Sequence, residues 1–356
     1  MEIKKLRILF VGPDPRGLGG VQTFGKNLHE IFDGNVDFVS GCFTKPLISS
    51  QEYNVIYPLK YNLINRLFSK LSLIVLGRDV LYKYRLNKLL RLEGYQAIVV
   101  NSPKYINMFK DFEDIILIQH RTYDSMFESE HYFDSNIELL RKTILSAKKI
   151  VLLSKYDKTR FLSIGFNANS LYVIRHCSRI PTLHSNSKDN NKKLIMACRI
   201  ENSSKRIDLA IKAMVKLSNY SLTIVGDGPD KESLVELVST LGIKNVFFKD
   251  RVTDITSALD SASVHIMTSD FEGYGISNIE AMRRGLPLIV RNTYDAAQDV
   301  VRDNGILLSE TWCEDEFVQA VKQIENNYSF YSNNSLTMGR RHDFETIKQK
   351  WIDLIG

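Results

Sequence analysis

Four cysteines in 356 residues, at positions 42, 177, 198 and 313, are too few and too scattered for a disulfide scaffold. No two have C-x-x-C spacing and no histidine cluster accompanies them, so they read as reduced thiols of a cytoplasmic protein, and no metal site is expected. Eight prolines and nineteen glycines exclude collagen-like and low-complexity architectures. Long apolar runs are missing too. The longest candidate, Leu71 to Leu76, is far short of the roughly 18 residues a membrane span needs. Met1–Lys5 leads directly into a strand-like run with no signal-peptide hydrophobic region. The expectation is a soluble protein, or one peripheral at the inner face of a membrane.

What is present is ordinary globular composition, 44% hydrophobic and 25% charged. At roughly 150 residues per domain, the length suggests about two domains. The net charge of +6 is unevenly placed: residues 1–186 carry +9 and residues 187–356 carry −3. Such asymmetry speaks to partners rather than to fold.

Leu6–Gly12 is a short apolar run ending in glycine, as a buried parallel strand would be. The loop Pro13–Gly20 follows, then Val21–Phe32 with helical spacing. Apolar runs recur at Val36–Val39, Ala97–Val100, Ile115–Ile118, Ile150–Leu153 and Leu171–Ile174, separated by helical or polar segments. Such alternation predicts a parallel sheet covered by helices. Residues 181–191 are polar and aperiodic and read as a linker. The pattern then restarts at Lys193–Cys198. A helix capped by Ser203 or Ser204 would bury Ile207, Ala210, Ile211, Met214 and Leu217. Strands are expected at Leu222–Val225, Val246–Phe248, Val264–Met267 and Leu288–Val290, and a helix stopped by Gly242. Residues 1–180 and 192–337 therefore read as two Rossmann-like α/β domains. A polar break at Tyr331–Thr337 would precede a last helix, Phe344–Ile355, within a tail spanning 338–356.

The chemistry concentrates in Asp270–Met282. A strand ends near Thr268, two glycines permit close backbone approach, and a helix begins near Ile276. Free N–H groups around Ile276 and Ser277 would suit phosphate. Glu272 and Glu280 bracket the loop, and a carboxylate accepts the paired hydroxyls that sugars present. Arg199 and Lys205, after the first strand of the second half, would suit a diphosphate, with Arg206 as the alternative to Lys205. Gly17-Leu18-Gly19-Gly20 is a weak phosphate-loop pattern, equally readable as a tight turn. His120 ends another strand and reads as structural or catalytic. From Lys60 to Arg91, eight basic residues face Asp79 as the one acid, interleaved with Leu63, Leu67, Phe68, Leu71, Leu81, Tyr82, Leu86 and Leu89. The run reads as a basic surface on anionic lipid or as a solvated helix face; no motif points to nucleic acid.

Together these residues resemble a retaining GT-B glycosyltransferase of family 4, over nearly the whole chain. Phe271-Glu272-Gly273-Tyr274-Gly275 through Glu280-Ala281-Met282-Arg283-Arg284-Gly285-Leu286-Pro287 is similar to the family's E-G-F-G…E-A-M-A-C-G-L-P block. Arg199-Ile200…Lys205-Arg206-Ile207-Asp208 resembles its R-L…K-G-x-D block, with one extra residue between Arg199 and Lys205. Val225-Gly226-Asp227-Gly228-Pro229 resembles its V-G-x-G-P turn. Gly19-Gly20 matches the N-terminal glycine pair and His120 the strand-end histidine. Phe344–Trp351 is similar to the tail helix that crosses back onto the first domain. His176-Cys177-Ser178 departs from the usual Asn-Gly, and Asn292–Val301 lacks the usual glycines.

The resemblance implies two Rossmann-like domains facing across a central cleft. It implies that Glu280 binds the ribose of a nucleotide sugar, Glu272 the transferred sugar, and Arg199 and Lys205 the departing diphosphate. Gly20 would bring a main-chain N–H to a phosphate and His120 would lie near the sugar's hydroxymethyl group. Gly19, Gly226, Arg251, Gly275, Ile276 and Ser277 complete the expected donor-binding set. No cofactor and no metal are implied. The expected reaction moves a hexose or N-acetylhexosamine from a nucleotide sugar, UDP before GDP, to a growing, lipid-linked glycan. A UDP-sugar 2-epimerase and a non-catalytic GT-B partner or glycan-binding subunit are the alternatives.

Overall fold

The computed structural model describes residues 6–17, 19–40, 52–59, 62–76, 80–89, 94–109, 112–120, 137–183, 190–252 and 254–356. Leu18, Cys42, Lys60, Arg78, Asp79, Arg91 and residues 184–189 of the expected linker lie outside the described residues. The chain divides into two compact units, Met1–His176 with Ile347–Gly356, and Cys177–Thr346.

In the first unit the elements run β1 (Ile8–Gly12), α1 (Gly20–Ile31), β2 (Val36–Ser40), β3 (Val55–Ile56), α2 (Leu63–Leu76), α3 (Val80–Leu89), β4 (Ala97–Val100), β5 (Ile115–Ile118), α4 (Ile137–Leu145), β6 (Lys149–Leu152), α5 (Lys155–Ser163) and β7 (Leu171–Val173). The strands form one parallel sheet in the order β3-β2-β1-β4-β5-β6-β7. β1, β4 and β5 are buried throughout, which is why they read as unbroken apolar runs. α1 turns Phe24, Leu28 and Ile31 to the core.

The second unit contains β8 (Lys193–Ala197), α6 (Asn202–Lys205), α7 (Ile207–Ala213), β9 (Ser221–Val225), α8 (Lys231–Thr240), β10 (Val246–Lys249), α9 (Thr256–Asp260), β11 (Val264–Met267), α10 (Ile276–Arg283), β12 (Leu288–Arg291), α11 (Ala297–Val300), β13 (Gly305–Leu308), α12 (Glu314–Asn326) and α13 (Tyr328–Gly339). Its parallel sheet has the order β10-β9-β8-β11-β12-β13. The order reverses between β8 and β11, so the loops leaving their carboxyl ends flank a switch point, where ligands of open α/β sheets bind. Helix α14 (Phe344–Ile355) returns the chain to the first unit, where Trp351 packs 5.8 Å from the Phe24 ring and the Leu354 carbonyl accepts from Lys149 Nζ at 2.9 Å.

Two local expectations are corrected. Residues 202–213 form two helical pieces, because Arg206 adopts left-handed backbone (φ 47°) between α6 and α7. The capping oxygen comes from Asn202, whose Oδ1 accepts the Asp208 N–H at 3.0 Å, and not from Ser203 or Ser204. The expected break at Tyr331–Thr337 is helix α13. Its small polar residues turn inward: Ser335 Oγ donates to the Leu286 carbonyl at 2.7 Å, and Ser332 Oγ donates to that of Gly285. A side chain at Gly339 would meet the Arg283 backbone N at 2.9 Å, so glycine lets α13 lie close against α10.

Candidate active site

The switch point of the second unit gathers most of the expected donor residues. β8 delivers Arg199 and the α6 turn; β11 delivers Asp270–Gly275 and then α10. Thr268 Oγ1 donates to the carbonyls of Lys205 and Arg206, each at 2.9 Å, and the Asp270 N–H to that of Ser204 at 2.8 Å. These bonds fasten the two loops together. Lys205 Nζ then reaches Glu272 Oε1 at 2.5 Å, where Ser269 Oγ also donates at 3.0 Å. Both ionic side chains are largely buried, 19% and 16% exposed.

Arg206 points elsewhere. Its guanidinium pairs with Asp208 at 3.2 Å and Asp270 at 3.5 Å, which raises its already high pKa further. With Arg206 in left-handed backbone, Lys205 faces Glu272 while the Arg206 guanidinium is held by Asp208 and Asp270. Arg199 is 68% exposed, with Glu201 4.0 Å away. Arg251 is exposed in the loop after β10.

Gly275 caps α10 with φ 78°, and a Cβ there would sit 2.6 Å from Asn278 Nδ2. Only glycine fits, and the turn leaves the N–H groups of Ile276 and Ser277 at the head of the helix without intrahelical acceptors. Glu280, one turn on, is partly buried, and desolvation pushes its carboxyl up to about 7. Tyr274 lies between the glycines with its ring buried. Its hydroxyl is 3.3 Å from both Asp299 Oδ2 and His342 Nε2, and Arg341 pairs with Asp299 at 3.1 Å. This support for the Glu272–Gly275 loop had no sequence signal, since Asp299 and His342 are distant in the chain and match no motif.

Gly226 answers a packing need: a Cβ would fall 1.9 Å from the Cys198 carbonyl oxygen. Gly228 likewise would meet the Ile200 carbonyl at 2.2 Å. The glycine turn lets the β9 loop lie on the residues after β8.

In the first unit, Gly19 takes φ 139° and α1 begins at Gly20. The loop before it is braced by Asp14, which accepts from the Arg16 guanidinium at 2.7 Å and from the Tyr57 hydroxyl. His120 lies two residues after β5, with its ring 4.8 Å from Phe24 and stacked on His176 at 5.5 Å. Burial lowers the pKa of both, His176 to about 4, and the neighbouring His176 lowers His120 further. The pair is uncharged at neutral pH. Among the described residues, no three His, Cys, Asp or Glu side chains cluster as metal ligands, and no helix is long and apolar enough to cross a membrane.

Two parallel-sheet α/β units, the second with a strand-loop-helix turn at its switch point, have the architecture of the GT-B fold, and solved structures agree. The Anabaena HepE structure in complex with UDP-glucose superposes with a TM-score of 0.76 over 98% of each chain, at 16% identity. Residues 183–342, under half of the chain, match the model of the family Glycosyl transferases group 1. An uncharacterized glycosyltransferase of Haemophilus influenzae is 25% identical over 90% of this chain and 91% of its own. A Campylobacter jejuni enzyme is 31% identical over 39% of each chain; its name is GalNAc-alpha-(1->4)-GalNAc-alpha-(1->3)-diNAcBac-PP-undecaprenol alpha-1,4-N-acetyl-D-galactosaminyltransferase.

Proposed function

We propose that this glycosyltransferase moves a hexose or N-acetylhexosamine from a UDP-sugar, with retention of anomeric configuration, to a growing lipid-linked cell-surface glycan. It would do so without a metal, in the cytoplasm, at an anionic membrane surface. The observation that carries the reading is the Lys205–Glu272 contact in the loop that leads into α10, with Glu280 one turn inside that helix. The UDP-glucose bound to the HepE neighbour and the undecaprenol-linked acceptor in the Campylobacter relative's name support the donor and acceptor classes.

In this mechanism Glu280 accepts hydrogen bonds from the ribose hydroxyls, and the N–H groups of Ile276 and Ser277 bind phosphate oxygens. Glu272 holds hydroxyls of the transferred sugar. As the anomeric C–O bond breaks, negative charge grows on the diphosphate, and Lys205 and Arg199 stabilise it there. The acceptor hydroxyl attacks the same face, its proton passing to the departing phosphate oxygen. Gly19, Gly226, Arg251 and Gly275 complete the donor-binding set. Gly20 and His120 keep the phosphate and sugar contacts that the resemblance gives them.

Product analysis with UDP-sugars, with and without a lipid-linked oligosaccharide acceptor and EDTA, tests this. Elongated acceptor with the donor's anomeric configuration, formed equally in EDTA, is expected. Inversion at C2 without acceptor would establish an epimerase, and binding without turnover a glycan-binding subunit. Loss of activity in EDTA, restored by Mn²⁺, would refute metal independence.

A further inference from the structure

Helix α2 is amphipathic in the opposite sense to a globular surface helix. At 100° per residue, Leu63, Ile64, Leu67, Phe68, Leu71 and Val75 fall within an arc of about 140°. Such a stripe ordinarily faces the core. Here these six side chains are 59 to 69% exposed. Opposite the stripe, Asn65 and Ser72 are half-buried, and Ser72 Oγ accepts the Val80 N–H of α3 at 3.0 Å. α3 is in turn anchored by buried Tyr82 and Leu86, with the Tyr82 hydroxyl donating to the Ser40 carbonyl at 2.8 Å. A contiguous apolar face of this kind marks an interaction surface.

Charge selects the occupant. α2 and α3 together contain Arg66, Lys70, Lys83, Arg85 and Lys88 and no Asp or Glu. Lys70, Arg85 and Lys88 are exposed. An apolar stripe flanked by cations and free of acids matches the headgroup–acyl boundary of an anionic bilayer. The helix is about 21 Å long, too short to span and suited to lying in the plane.

We propose that α2 lies flat in an anionic membrane with its apolar stripe sunk among the acyl chains. This deepens the membrane partner named above and is independent of the donor chemistry. The basic run is thereby more than an electrostatic patch: cations govern first contact and apolar insertion governs retention.

The test uses the full chain with phosphatidylcholine–phosphatidylglycerol vesicles. Binding at low salt is expected to persist when NaCl is raised to about 1 M, where the Debye length is roughly 3 Å and adsorption by charge alone is lost. Phe68→Trp is expected to be quenched by lipids brominated on the acyl chains, beyond the quenching of wild-type Trp312 and Trp351. Leu67→Asp/Phe68→Asp/Leu71→Asp is expected to lose salt-resistant binding at least tenfold. Because these positions are exposed, its thermal midpoint and its affinity for UDP should match wild type. That match separates lost insertion from misfolding and from failure of the donor reading. Release of all protein by salt, or no excess quenching of Phe68→Trp, would overturn insertion. So would a wild-type dimer in solution that the triple variant breaks, which would make a second copy the occupant.

Discussion

Glu272→Gln should tighten UDP binding and make the site favour UDP over UDP-sugar. Lys205 Nζ lies 2.5 Å from Glu272 Oε1, with both side chains mostly buried. For Lys205 to meet a diphosphate it must give up this contact. A hydrogen bond between charged groups contributes about 1.5–3 kcal/mol, and the residual exposure argues for the lower half of that range. With UDP alone, Glu272 is left without its cation and gains no sugar hydroxyl, so the pair opposes binding. Replacing the carboxylate with an amide removes that competitor, and UDP affinity should rise about 10- to 40-fold. The UDP-sugar gains the same relief but loses a carboxylate acceptor for its hydroxyls, so it should bind less tightly than UDP does, and turnover should fall. Calorimetry with both ligands on wild type and variant reads the comparison directly. If Glu272→Gln leaves UDP affinity unchanged or lower, Lys205 does not transfer from carboxylate to diphosphate and the reasoning fails.

Lys205→Ala should reduce turnover, whereas Arg206→Ala should leave turnover largely unchanged, since the Arg206 guanidinium is engaged by Asp208 and Asp270 and does not face Glu272; steady-state kinetics distinguish them. Glu280→Ala should weaken UDP binding about tenfold, the value of a charged hydrogen-bond acceptor. In wild type, UDP affinity should decline as pH falls through about 7, because the buried carboxyl becomes protonated there; flat affinity between pH 8 and 6 would contradict this. Folding stability should fall as pH drops below about 6.5. The buried His120, His176 and His265 have lowered pKa values, so the unfolded chain takes up protons first; denaturant melts across pH 7 to 5 measure it. Gly226→Ala should cost roughly 1–3 kcal/mol by forcing the β9 loop off Cys198, read as a lower denaturation midpoint.

Most strands of the parallel sheets were legible because strands buried on both faces must be apolar end to end, whereas the partly buried β3 and β13 were not anticipated. The Glu272–Glu280 block was legible because glycines, carboxylates and a helix start coincide there. Other features depend on tertiary contacts that no local pattern encodes. The spacing of α2 revealed a stripe, but the way a stripe points depends on what the rest of the chain offers to cover it. The left-handed Arg206 settles which cation faces Glu272, yet arginine has no preference for that backbone. Helix α13 looked like a loop because serine and asparagine are poor helix formers, and their inward bonds to Gly285 and Leu286 become visible only once α10 lies beside them.

The far end of α10 bears on how the protein can be divided. Arg283 Nε donates to the Ile180 carbonyl at 2.5 Å and its Nη1 pairs with Asp343 at 2.5 Å, while Arg284 Nη1 donates to the Pro181 carbonyl at 2.8 Å. The stretch before β8 thus belongs to the second unit as a structural strap. A fragment of the donor domain begun at residue 192 would take one backbone acceptor from each of two buried guanidiniums, Ile180 from Arg283 and Pro181 from Arg284. One begun at Cys177 and carried through Thr346 would keep them, so a dissection intended to measure donor affinity in isolation should cut at those two points.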